Sequence, residues 1–216
     1  KAWFFLAHYD PDFLRGTSPL DVNLTDLVEE REGKLYRDGH FSERDANRLV
    51  ADAVRVMQEV RSVHGSLDFD NEKRRADGTA IWQCELITTP FYHPILPLLI
   101  DSDIARTCQP NAALPNRFAY PSDAEAQIVK GSYNFVMTFG YPNTGMWPAE
   151  GSISKDAAEA FANLGMKWIC GDMHVLSKSK PSSLPVARPY RIETPSGPIA
   201  IVFRETTLSD HIGFSY

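Results

Sequence analysis

Apolar and polar positions change period along the chain and divide it into a mainly helical front part, 1–79, and a rear part, 80–216, that alternates strands and helices. In 42–63, Leu49, Ala53, Val56, Met57 and Val60 recur at helical spacing, with Ser42 as a cap and Asp45 at the third helical position. Such a stripe predicts a helix with these residues in the core. The spacing over 21–32 predicts another helix. Trp3, Phe4, Phe5, Leu6 and Tyr9, punctuated by Asp10-Pro11-Asp12, fit a short buried helix better than a strand. Residues 64–79 are polar and charged, contain Gly65 and Gly78, and read as a loop.

From residue 80 the period shortens. AIWQCELITT at 80–89 predicts a buried strand that ends at Pro90 and opens into the aromatic loop Phe91-Tyr92-His93-Pro94. A short element follows at 95–100, a brief helix at 103–109 and a loop at 114–121. A helix at 123–139 is stopped by Gly140-Tyr141-Pro142. A strand ends at Met146-Trp147, a helix covers 155–165, and 167–170 is a short strand. After a loop at 181–189, strands at 190–194 and 199–204 surround the turn 195–198. This alternation predicts an α/β fold with a parallel sheet, in which ligands sit at the C-terminal strand ends. Those ends are 85–93, 147–152, 172–174 and 205–210, and each carries an acid or a histidine. Together they predict one polar site.

The strongest candidate is Glu150, within TGMWPAEGSIS at 144–154. Pro148 fixes the backbone after Trp147, and Ser152 or Ser154 can cap the next helix, with Asp156 in its first turn. A plain helix-start carboxylate is the simpler alternative, but it accounts for neither the Trp-Pro before Glu150 nor the Gly-Ser after it. A carboxylate beside a large aromatic suits sugar chemistry, because aromatic faces stack on pyranose rings and carboxylates break the glycosidic bond. Glu205 and Asp210 are candidates for a second carboxylate. Retaining enzymes separate the pair by about 5–5.5 Å and inverting ones by about 6.5–9.5 Å. Taken singly, Asp210 also reads as a helix cap and Glu205 as an ion-pair partner of Arg204 or another base.

Glu85 lies in an apolar strand, where a carboxylate is costly to bury unless paired; this points to a site or its support. His93 can bind substrate hydroxyls or serve the loop. Asp172-x-His174 would need a third ligand, such as His93 or His211, to hold a metal, and the spacing is too generic to assign one. No Gly-rich phosphate loop, nucleophile elbow or Cys-His signature is present.

Composition narrows the classes further. Hydrophobic residues are 43% and aromatics 11%, enough for a core and a lined cleft. Net charge is −6 with scattered basic residues, which argues against nucleic acid. Three cysteines without CxxC spacing predict reduced, buried thiols in a cytoplasmic protein, with no disulfide or zinc site. The apolar run 95–100, broken by Pro97, is too short for a bilayer, and no signal peptide is visible, so no membrane partner is expected. The chain does not begin with Met, and its start is expected to be a boundary or a cleavage product.

ELITTPFYHPILPLL at 85–99, FAYPSDAEAQ at 118–127, GMWPAEGS at 145–152 and LSDHIGF at 208–214 resemble glycoside hydrolase family 57 in content and order. That family holds α-amylase-like hydrolases, 4-α-glucanotransferases and α-glucan branching enzymes. The resemblance implies an incomplete (β/α)7-type barrel with parallel strands and helical additions, of which this chain would be a fragment or a shortened version. It implies a retaining double displacement on α-glucans or maltooligosaccharides, with no metal or other cofactor. The family nucleophile falls on Glu150. Its acid/base, an aspartate after a later strand, falls on Glu205, with Asp210 second. Glu85, Phe91, Tyr92, His93, Trp147, Asp172 and His174 would bind substrate. Asp172 stands where relatives often read T-D-E and would support the nucleophile or touch sugar. The H-x-P-type motif at the family's first strand is absent, and a non-catalytic carbohydrate-binding relative or, less strongly, a metal-dependent polysaccharide deacetylase are the competing expectations. Exposed strand edges of an incomplete barrel favour pairing with another copy.

Overall fold

The computed structural model describes residues 1–68, 84–181 and 183–215. The chain divides into two compact units, Lys1–Cys84 and Glu85–Tyr216.

In the first unit, α1 (Ala2–Leu6) and α2 (Pro11–Arg15) are separated at Asp10, whose side chain accepts the backbone N–H of Asp12 and caps α2. The helix expected over 21–32 is a correction: Glu29–Arg31 (β1) and Lys34–Tyr36 (β2) form an antiparallel hairpin. Glu32 and Gly33 both have positive φ, 53° and 72°, which suits the two-residue turns that match strand twist. The long helix α3 (Glu43–Asp68) starts as expected, because Asp45 N–H donates to Ser42 Oγ while Ser42 N–H donates to the Asp45 carboxylate. It buries Leu49, but Met57 and Val60, expected in the core, are 63% and 51% exposed. Leu49 closes a cluster with Leu6, Phe13, Leu24 and Leu27. The expected loop begins later than residue 64, and its remainder at 69–79 lies outside the described residues.

The second unit contains α4 (Leu96–Ile100), α5 (Ala105–Cys108), α6 (Pro121–Phe139), β3 (Gly145–Met146), α7 (Lys155–Asn163), β4 (Trp168–Asp172), α8 (Met173–Ser177), β5 (Tyr190–Ile192), β6 (Ile199–Arg204) and α9 (Thr206–Phe214). Gly140, left-handed at φ 86°, ends α6, and Ser154 Oγ caps α7 by accepting Ala157 N–H. The sheet order is β3-β4-β6-β5. β3, β4 and β6 are parallel as expected, whereas β5 is antiparallel to β6 because a short turn joins them. The four strands form an open sheet, and the described residues do not close a barrel. Residues 80–83 of the expected buried strand lie outside the described residues; beyond them, a single parallel bridge joins Thr88 to Met146.

Strand periodicity gives the sheet two different faces. Met146, Ile169 and Ile201 are in register and buried against Ile128 of α6 and Phe161 of α7. The opposite row carries Trp168, Cys170 and Asp172 on β4 and Ala200, Val202 and Arg204 on β6, all partly exposed. The parallel strands therefore bring Trp147, Asp172 and Arg204 to one end of the sheet. Among the described residues no helix is long and apolar enough to cross a membrane.

Candidate active site

Glu150 is held up from a buried base. Pro148 and Ala149 are buried, and Trp147 N–H donates to Thr88 O at 2.8 Å, which ties the segment to the stretch around Thr88. The chain then turns sharply over Ala149–Gly151. Glu150 adopts φ 56° and ψ 19°, a left-handed conformation costly for a residue with a Cβ. Gly151 follows at φ 64°, where glycine has no such penalty. A Cβ on Gly151 would lie 3.6 Å from the Trp147 ring and from Asp172 N, so the turn rests between that indole and the end of β4. The Glu150 side chain remains 68% exposed.

His93 meets it. His93 Nε2 is 3.2 Å from Glu150 Oε1, and His93 Nδ1 is 3.1 Å from Thr89 Oγ1. His93 also sits at φ 56°. Its turn is clamped to α6, with Phe91 N–H donating to Gln127 O and Tyr92 N–H to Gln127 Oε1. Gly131 permits this seat, because a Cβ there would fall 2.5 Å from Thr89 O. Backbone strain at two facing residues is the kind that surrounding structure sustains at functional sites. Phe91 and Tyr92 pack edge to face at 4.7 Å and are exposed.

Asp172 ends β4 and accepts from His174 N–H, His174 Nδ1, Arg204 Nε and Thr206 Oγ1. Burial pushes its carboxyl up, but these hydrogen bonds outweigh it and hold the group well below the usual carboxylate range. Glu205 caps α9 by accepting Thr207 N–H at 3.2 Å and Leu208 N–H at 2.6 Å. Those backbone donors lower its pKa against a smaller effect of burial. The ion pair expected between Glu205 and Arg204 is replaced: Arg204 binds Asp172, Ser209 and Asp210, the last at 3.4 Å.

Glu150, His93, Trp147, Phe91 and Tyr92 are thus brought together, and Asp172, His174, Glu205 and Asp210 gather at the ends of the adjoining strands. Glu85 is not with them. It is exposed rather than buried, and bonds Thr144 Oγ1 and Trp168 Nε1 where β3 and β4 begin. Four residues of strand, about 13 Å, separate Trp168 from Asp172. Among the described residues no three His, Cys, Asp or Glu side chains are grouped to hold a metal, so Asp172, His174 and His93 do not form the trio that the deacetylase expectation needs. The cysteines are free, but none is fully buried as expected: Cys84 and Cys170 are half-buried and Cys108 is exposed. Sequence reasoning misses Thr89, Gln127 and Thr206 and names Arg204 only as a partner of Glu205; the adjacency of Thr206 to Glu205 is the one signal for it.

A model of the family described as glycosyl hydrolase family 57 matches residues 81–216. Among solved structures, a 4-alpha-glucanotransferase from Thermococcus litoralis is 18% identical over 81% of this chain and 22% of its own, with TM-score 0.48. The alpha-amylase AmyC from Thermotoga maritima is 18% identical over 79% and 26%, with TM-score 0.48. A GH57-type branching enzyme from the hyperthermophilic archaeon Pyrococcus horikoshii is 17% identical over 76% and 27%, with TM-score 0.46. The chain therefore spans about a quarter of the length of these structures. No curated protein matches it.

Proposed function

Because the chain belongs to glycosyl hydrolase family 57, we propose that its second unit carries the nucleophile end of a retaining active site that acts on α-glucans. The observation that carries this is Glu150, exposed, strained and in contact with His93 at the end of β3. In the first half-reaction a Glu150 oxygen attacks the anomeric carbon as the bond to the leaving sugar oxygen breaks, and Glu205 supplies that oxygen with a proton. In the second, Glu205 takes a proton from water or a sugar hydroxyl, the freed oxygen attacks the same carbon, and Glu150 leaves. The capped, ionised Glu205 described above suits the second half. For the first it must gain a proton, which a bound glucan favours by displacing water from the carboxyl. Asp210, on the next turn and beside Arg204, is the second candidate for proton transfer.

Trp147, Phe91 and Tyr92 serve as sugar platforms, and His93 and His174 as hydroxyl-binding groups. The experiment is product stereochemistry. The full chain is mixed with a maltooligosaccharide and the first-formed anomer is followed by proton NMR. Retention of the α-anomer, lost in Glu150→Gln, supports the proposal; initial β-anomer overturns it. The cap role of Glu205 favours one second reading, a glucan-binding relative without turnover, for which binding of maltooligosaccharide with no product at all is the expected outcome.

A further inference from the structure

Asp172 faces Arg204 across the β4–β6 ladder, and every acceptor direction of its carboxylate is in use. Oδ1 accepts His174 N–H at 2.8 Å and lies 2.6 Å from His174 Nδ1. Oδ2 accepts Arg204 Nε at 2.8 Å and Thr206 Oγ1 at 3.0 Å. An ionised carboxylate offers about four lone-pair sites. Its side chain is only 16% exposed. A sugar hydroxyl can reach Asp172 only by displacing one of these donors, two of which come from the charged Arg204 and the backbone. The two donors on Oδ2 are the residues immediately before and after Glu205. One oxygen thus grips both neighbours of Glu205, while the Glu205 carboxylate itself starts α9. Arg204 extends the grip to Ser209 Oγ at 3.0 Å and to Asp210.

We infer that Asp172 is a positioning residue for the proton-transfer step, fixing the Arg204–Thr206 segment and so Glu205, and is not a sugar ligand. The inference rests on the assignment of proton transfer to Glu205. A shift of about 1 Å in a reacting group costs on the order of 10²-fold in rate, so loss of the grip acts on turnover more than on substrate affinity.

The test uses two substrates on the full chain: maltopentaose, whose leaving oxygen needs a proton, and α-maltosyl fluoride with azide, where neither leaving group nor acceptor does. Glu205→Gln is expected to lose maltopentaose turnover and keep fluoride release. Asp172→Asn is expected to lower kcat on maltopentaose by about 10²-fold with KM little changed, and to leave fluoride release near wild type. Thr206→Val, which removes one donor at nearly constant volume, should move the same way by less, and Thr206→Ser should restore activity, so that a poorly folded Asp172→Asn does not decide the matter. Leaving-group dependence in Glu205→Gln with a raised KM on both substrates in Asp172→Asn overturns the inference and spares the Glu205 assignment. No leaving-group dependence in Glu205→Gln overturns both.

Discussion

His93 Nε2 and Glu150 Oε1 meet at 3.2 Å, and both residues hold left-handed backbone at φ 56°. Each spends stability to present its side chain, since this conformation costs an L-residue about 1–2 kcal/mol. Replacement by glycine removes that strain and adds an entropic cost of about 0.5–1 kcal/mol. Glu150→Gly should therefore leave stability unchanged or raise it by up to about 1.5 kcal/mol while turnover disappears. Thermal unfolding beside an activity assay checks both, and a marked fall in unfolding midpoint would contradict the strain account.

The seat of His93 depends on Gly131. An alanine there places a methyl group 2.5 Å from Thr89 O, a backbone atom that cannot step aside alone. Gly131→Ala should destabilise the unit by about 1–3 kcal/mol and lower turnover, because Thr89 and His93 share the displaced turn. Denaturant melts and steady-state kinetics on the same variant test this. Gly145→Ala, which collides with the Trp168 ring at the other end of β3, should destabilise without the specific loss of His93 contact.

The local signals were legible in sequence: the Ser42–Asp45 start of α3, the Ser154 cap and the Gly140 stop depend on a few adjacent residues. The 21–32 stretch departs from its helical spacing because its charged end pairs as a hairpin around Glu32-Gly33, a turn that such spacing does not weigh. The strand at 80–89 is predicted from its own apolar run, whereas the described part of it joins the sheet through the parallel bridge of Thr88 to Met146. At the site, Glu150 and His93 were visible as chemical types at a strand end and in a loop. Their left-handed backbones were not, because the segments that carry them are tied to distant parts of the chain, Trp147 to Thr88 O and the Phe91-Tyr92 turn to Gln127. Likewise the Asp172–Arg204 bond exists only once β4 and β6 are in register.

Asp172 has its carboxyl held below its ordinary value of 3.8 in the folded state. A depressed acid contributes stability that is complete above its unfolded pKa and is lost as pH falls through the folded one. The stability gap between wild type and Asp172→Asn should therefore be constant from neutral pH down to about 5, then narrow as the solution becomes more acid. Chemical denaturation across pH measures it, and a gap that widens toward acid would contradict the hydrogen-bonding account.

Cys170 lies half-buried in β4, and burial pushes its thiol up to about 11. Thiolate is the reactive form, so Cys170 should resist alkylation at neutral pH while exposed Cys108 labels readily. Peptide mass mapping after brief iodoacetamide treatment distinguishes them; equal labelling of the two would contradict this description of β4.

The central claim is that Glu150 forms a covalent bond to sugar. The direct measurement is capture of that species with a slow-turnover activated fluoroglycosyl fluoride on the full chain, followed by peptide mass spectrometry. The account predicts one glycosyl adduct, on the peptide containing Glu150, and none in Glu150→Gln. An adduct on another carboxylate, or turnover of maltooligosaccharide that survives in Glu150→Gln, would contradict it.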